Sequence, residues 1–246
     1  MRREMTADSK KIHWLAVNLV LVLCESYLCY VLMFRRGTGF DLAYLLEYPN
    51  YANFSLFLSS WILIAGCIAE LCGTKARAYY GFRLFRYMAV TASSLTFVVA
   101  VLIAFPMTGF DFIPYFESVN LLECIICPVL AYFSFTYLGD YSDFGKRETL
   151  LATLPGVLYN AVIVILNGVG VLDGPYRFQK ADEQGIGTTL FWTALVVGGT
   201  FIIATVLLIV AQAHGPKVRR KGRKGRNRSA VENLEKTVDD EAETHR

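Results

Sequence analysis

Long apolar runs, uninterrupted by any regular alternation of polar residues, dominate this chain, and short polar stretches separate them. Six runs stand out: Ile12–Phe34, Asn53–Leu71, Leu84–Phe105, Asn120–Leu138, Leu150–Leu172 and Thr189–Ala213. A helix of about 20 apolar residues crosses the roughly 30 Å hydrocarbon core of a bilayer, and each run meets that length. Backbone inside a membrane must satisfy its own hydrogen bonds, so only helices or a closed barrel can span it, and unbroken runs of this kind exclude alternating barrel strands. The pattern predicts an all-α polytopic membrane protein with six transmembrane helices.

Polar residues within the runs fall at helical spacing, because positions three, four and seven apart share one side of a helix. Asn120, Glu123, Cys124, Cys127, Ala131 and Ser134 form one such stripe in the fourth run. Asn18, Glu25 and Cys29 form another in the first, and Asn53, Ser60 and Cys67 a third in the second. The fifth run offers Asn160 and Asn167, the sixth Thr193 and Thr200, and the third the cluster Thr91, Ser93, Ser94 and Thr96. Such faces are expected to turn inward, away from lipid. Gly198, Gly199 and Thr200 would allow close helix approach, within the bundle or between subunits, so the oligomeric state stays open.

Basic residues orient the spans, since Lys and Arg in short loops remain cytoplasmic. Four precede the first run, Lys75, Arg77 and Arg83 lie between the second and third, and Lys146 with Arg147 between the fourth and fifth. The opposite side has Arg35 and Arg36, then Arg177 and Lys180. Eight more fill the segment Lys217–Arg228. N and C termini are therefore predicted to be cytoplasmic, in a multi-pass protein of the cell membrane. The first run is longer than a signal-peptide core and ends in "YVLMFRRG" with no small-residue cleavage site, so it is expected to be retained.

That topology gathers Glu25, Asn53, Asn120, Glu123 and Asn167 into a polar layer in the outer half of the bundle, a candidate ligand-binding site. A carboxylate in a span costs on the order of 2.5–3.5 kcal/mol even on lenient insertion scales, so each calls for a reason. Glu123, near an interface, is either hydrated or bonded to Arg177 or backbone, or it contacts a ligand. Glu25, deeper, is either a hydrogen-bonded packing residue or part of the same site. Glu70 is expected to form a surface ion pair with Lys75, Arg83 or Arg86, which are near it in sequence.

Composition agrees with the membrane class: 54% of residues are hydrophobic and 18% charged, and the mean hydropathy is +0.41. Three parts follow: residues 1–11 as a cytoplasmic segment, 12–213 as the transmembrane domain, and 214–246 as a basic then acidic tail too poor in large apolar residues to build a core. The basic block is expected to attract anionic lipid headgroups, at roughly 1 kcal/mol per residue close to the surface. Without a folded reader module beside it, nucleic acid is not an expected partner. Membrane lipids are.

Candidate chemistry is sparse. Only His13, His214 and His245 occur, all at the predicted cytoplasmic side, which removes the usual base for a Ser or Thr nucleophile. Cys124 and Cys127 have a redox-like spacing but sit inside an apolar run with no second pair, so they are expected to be packing residues. No cofactor or metal site is expected, and neither a P-loop nor a dinucleotide fingerprint is present.

The segments "FRYMAVTASSLTFVVAVLIAFP", "NLLECIICPVLAYFSF", "LPGVLYNAVIVILNG" and "DGPYRF" resemble uncharacterised six-span bacterial membrane proteins distantly related to the androgen-induced or androgen-dependent hydrolases. The likeness covers about residues 50 to 180. It implies the six-span scaffold and, in the wider family, lipid-ester hydrolysis by a Thr of the second span and a His near the start of the fourth. Glu123 or Cys124 stands where that His would fall, and Pro49 near the place of that Thr, so neither role carries over. Asn53, Asn120, Pro128 and Tyr159 remain as shared scaffold.

Three readings compete. A non-enzymatic membrane protein would bind a lipid, a small amphiphile or a partner through the polar layer. A lipid-ester hydrolase would have to use Thr91 or Thr96 as nucleophile. A proton-coupled transporter would use Glu25 and Glu123, but the sequence has no internal repeat and no paired broken spans.

Overall fold

A computed structural model describes residues 7–34, 48–71, 79–104, 118–170 and 185–214, with side chains described for 12–31, 50–65, 80–102, 119–170 and 185–214. These residues are almost wholly helical, with no strand among them. Six rods follow one another: α1 (Ala7–Phe34), α2 (Tyr48–Leu71), α3 (Tyr79–Val99, prolonged by a π-helical turn Ala100–Ala104), the composite α4, α5 (Lys146–Gly168) and α6 (Ile186–His214). Five carry stretches long and apolar enough to cross a membrane, and α2, at 24 residues, has the length to do so.

The composite α4 alternates α and π geometry through Ser118–Leu121, Leu122–Ile126, Cys127–Phe133 and Ser134–Leu138. Its first π turn lies directly before Pro128, which stands in the first turn of Cys127–Phe133. A proline has no N–H and its ring crowds the carbonyl four residues back, so a widened turn at this point relieves the clash.

Packing is organised around α3, which touches α2, α4, α5 and α6. Among the five spans that meet the length and hydropathy test it is the most buried, 56% inside against 28% for α6. That contrast follows from sequence. α6 is apolar on all sides and leaves Phe191, Ile202 and Ile209 exposed, whereas α3 buries Arg86, Tyr87, Thr91 and Ser93. Tyr87 donates to the Ala204 carbonyl at 2.6 Å and stacks on Phe135 with ring centroids 5.1 Å apart, fastening α3 to α6 and α4.

The short polar stretch between α4 and α5 is a packed plug. Tyr141 and Phe144 are buried, with the Tyr141 ring 4.0 Å from that of Phe135, and Gln212 of α6 donates to the Phe144 carbonyl at 2.8 Å. Arg83 lies over the Phe144 ring at 4.8 Å and forms an ion pair with Asp143. The α4–α5 turn brings the Asp143 carboxylate to the start of α3, where Arg83 meets it. The ion pair expected for Glu70 with Lys75, Arg83 or Arg86 falls on a Glu70 side chain that lies outside the described residues. Glu148, the third residue of α5, accepts from Gly145 N–H at 2.7 Å, the carboxylate half of a capping box, and from the Tyr80 hydroxyl at 2.7 Å, which ties α5 to α3. These contacts bring the start of α3, the α4–α5 turn and the end of α6 to one end of the bundle. Arg35, Arg36, Lys75, Cys67, Cys72, Arg177 and residues 215–246 lie outside the side chains described.

Candidate functional site: a buried charge cluster and an apolar cleft

Arg86 is 1% exposed, two turns into α3. Its Nη1 donates to Ser60 Oγ at 2.6 Å and Ser59 Oγ at 3.1 Å, and its Nη2 donates to Asn18 Oδ1 at 3.0 Å. Ser134 Oγ adds a contact to the same Asn18 oxygen at 3.3 Å, and Asn18 Nδ2 donates to the Trp14 carbonyl at 2.8 Å. One guanidinium thereby gathers α1, α2 and, through Asn18, α4 around α3. Every acceptor in the cluster is neutral. Burying a cation is costly unless its donors are satisfied, and three oriented oxygens go far toward that.

Sequence reasoning placed Arg86 at the membrane edge as a partner for Glu70, and the structure corrects this. Counting the third span from Leu84 left a basic residue three positions in looking like flank. The signal that identifies it lies on other helices: Asn18, Ser59 and Ser60 carry polar oxygens at one depth on two spans, and α3 supplies a donor that all three accept from.

Glu25 is 0% exposed, and neither of its carboxylate oxygens has a hydrogen-bond partner among the described residues. It lies close enough to Arg86 for the two charges to interact, yet Arg86 spends its donors elsewhere and its Nε is unpartnered. Asn18 and Ser60 share the level of Arg86, and Glu25 and Asn53 each lie seven residues beyond them on antiparallel rods, roughly 10.5 Å along the axis. Glu25 and Asn53 are therefore level with each other. Asn53 Nδ2 donates to Glu123 Oε1 at 3.1 Å, and both residues are buried.

Of the expected polar layer, the structure thus brings Glu25, Asn53 and Glu123 to one level of the interior. Asn167 is buried on α5. Asn120 is exposed, contrary to the inward face expected for it. The reason is local: the π turn Leu122–Ile126 takes more residues per turn than an α-helix, so a three-residue offset no longer keeps Asn120 and Glu123 on one side. Cys124 is half-buried and Cys127 buried, both as free thiols. No cluster of His, Cys, Asp and Glu suited to a metal ion occurs among the described residues. Thr96 donates back to the Ala92 carbonyl at 3.3 Å, and the buried Thr91 hydroxyl has no partner among the described residues.

A second feature escaped the sequence altogether. A cleft of about 340 Å³ opens between α3, α4 and α6, with Val98, Pro128, Tyr132 and Ile203 among its walls. Its rim is aliphatic and exposed at Val129, Ile202 and Val206. The one hydroxyl on the α3 wall is Ser94, whose Oγ is buried and has no partner among the described residues.

Comparison with protein-family models, with curated proteins and with solved structures finds no match to this chain.

Proposed function

We propose that this chain is a multi-pass protein of the cell membrane, with six transmembrane helices and cytoplasmic termini, that holds the acyl chain of a membrane lipid in the α3/α4/α6 cleft and catalyses no reaction of its own. The cleft carries this reading. Its volume is at the lower end of the 300–1,000 Å³ typical of small-ligand sites, and its lining is apolar apart from Ser94 and the Tyr132 hydroxyl. An opening rimmed by exposed aliphatic side chains admits a chain sideways from the bilayer without crossing water. Asn120, exposed eight residues before Pro128 on α4, lies roughly 12 Å along the axis, a height suited to a headgroup. The Lys217–Arg228 block favours anionic headgroups.

The hydrolase alternative needs a nucleophile held by a base. Thr96 is bonded back to its own helix, and Thr91 has no basic partner among the described residues. The resemblance to lipid-ester hydrolases therefore enters this proposal as scaffold alone.

A photoactivatable fatty-acyl phospholipid, incorporated in nanodiscs with the full chain, tests the reading. Cross-links are expected on Tyr132 and Val206, and Val129→Trp, which fills the mouth, is expected to reduce them roughly tenfold, equivalent to about 1.4 kcal/mol. Labelling spread evenly over lipid-facing positions such as Leu158 and Ile165, and unaffected by Val129→Trp, overturns it.

A further inference from the structure

Polar oxygens without donors collect at one level of the bundle interior. Glu25 contributes two and Asn53 one, its Oδ1 being buried and unpartnered among the described residues. Glu123, bonded to the other end of the Asn53 amide, stands beside them. All of these atoms accept hydrogen bonds. The Asn53 amide gives a hydrogen to Glu123, but no donor reaches the two Glu25 oxygens or Asn53 Oδ1 among the described residues.

Several polar groups surround Glu25. From α3 comes Arg86, whose charge acts on the carboxylate without touching it. α2 contributes Ser60, Ser59 and Asn53. Cys127 and Glu123 lie on α4, and Cys24 and Cys29 flank Glu25 on its own helix. Two opposed influences act on the carboxyl group. Removal from water disfavours its charged form, and the nearby guanidinium favours it. Because Arg86 stays out of contact, neither state is locked by a direct ion pair, and the carboxyl group can exist as carboxylate or acid without breaking any hydrogen bond among the described residues.

We propose that Glu25 is a proton-exchange site within the folded bundle. Hydronium transfers a proton to a Glu25 carboxylate oxygen, an O–H bond forms, a water molecule leaves, and the interior gains one positive charge. The new O–H adds a donor at a level where the Glu25 oxygens and Asn53 Oδ1 have none among the described residues. Release reverses the step, with Arg86 remaining charged throughout. Ionisable residues inside membrane bundles serve as proton and ion relays, and Glu25 has the required burial and an available counter-charge. This inference is independent of the acyl-chain cleft, which uses none of these residues.

Dicyclohexylcarbodiimide, which is lipid-soluble and adds across the O–H of a buried carboxylic acid, tests it. The full-length protein in proteoliposomes is treated across a pH series and the adduct located by peptide mass spectrometry. A stable N-acylurea is expected on Glu25, with a yield that falls about tenfold per pH unit beyond the midpoint, as for a single titrating group. The adduct should disappear in Glu25→Gln and persist in Glu123→Gln. In infrared spectra, a carboxylic-acid C=O band should follow the same pH curve and be lost only in Glu25→Gln. That band needs no reagent access, so it decides the matter if the carbodiimide fails to enter. Absence of the band at every pH, a band that does not respond to pH, or an adduct confined to Glu123 overturns the proposal.

Discussion

Replacing Asn18 by Leu removes the acceptor that holds Arg86 Nη2, keeping nearly the same side-chain volume, so the loss is polar. Three bonds disappear: from Arg86 at 3.0 Å, from Ser134 at 3.3 Å and to the Trp14 carbonyl at 2.8 Å. A hydrogen bond to a charged group contributes about 1.5–3 kcal/mol and a neutral one about 0.5–1.5 in water-soluble proteins. Interhelical bonds measured inside membrane bundles average about 0.6 kcal/mol with a maximum near 1.7. The Arg86 bond is charged and buried and belongs at the top of the membrane range. The Ser134 bond is long, and the Trp14 bond lies within one helix, so together they add at most about 1 kcal/mol. A destabilisation of about 2–3 kcal/mol is therefore expected. In Asn18→Leu/Arg86→Met the uncompensated charge is gone, and the double variant should recover about 1–2 kcal/mol relative to the sum of the singles. Denaturant unfolding in mixed micelles measures these values, and alkylation of the fully buried Cys127 reports opening of the bundle independently. If Asn18→Leu stays within about 0.5 kcal/mol of the parent and the two changes simply add, Asn18 does not hold the guanidinium and the cluster described above is wrong.

Gly139→Ala should destabilise by about 1–3 kcal/mol, since a Cβ there would lie 2.9 Å from the Phe135 carbonyl and closer still to the Tyr141 ring, read as a fall in thermal midpoint. Tyr87→Phe leaves the Ala204 carbonyl without its 2.6 Å donor and is expected to cost about 1–2 kcal/mol by denaturant titration. Glu148→Ala removes both the Gly145 cap and the Tyr80 bond; a loss of about 1 kcal/mol, with faster hydrogen exchange confined to the first turn of α5, is expected. Asn120→Ala, at an exposed position, should leave stability within about 0.5 kcal/mol, whereas Asn53→Ala, which strips Glu123 of a buried donor, should cost about 1–3 kcal/mol by the same titration.

Run length made the rods legible. The apolar stretch Thr189–Ala213 lies within Ile186–His214, and Asn120–Leu138 within the composite α4, because a span must be apolar over its whole crossing and its ends must be wet. Periodicity found Asn18, Glu25, Asn53, Ser60, Glu123 and Asn160 on buried faces. It failed at Asn120, where a π turn changed the period, and at Arg86, where a charge near a boundary was counted as loop. The plug formed by Tyr141 and Phe144 was hidden in a stretch rich in Gly, Asp and Ser, which reads as turn. Ile203 and Val129 gave no sign of lining a cleft, because aliphatic residues look alike in sequence whether they meet lipid, a neighbour or an opening between three helices.

Arg86 also has a place in time. The chain is synthesised from its N terminus, so Asn18 on α1 and Ser59 and Ser60 on α2 are complete before α3 emerges. An arginine entering lipid alone would cost about 2.5–3.5 kcal/mol even by insertion scales. Here three of its oxygen partners can already be waiting in the bilayer, and the fourth helix contributes only Ser134, through Asn18. For a bundle that crosses a bilayer, this arrangement implies that insertion of α3 draws on the two helices made before it, a reason for the first half to assemble in the order of its synthesis.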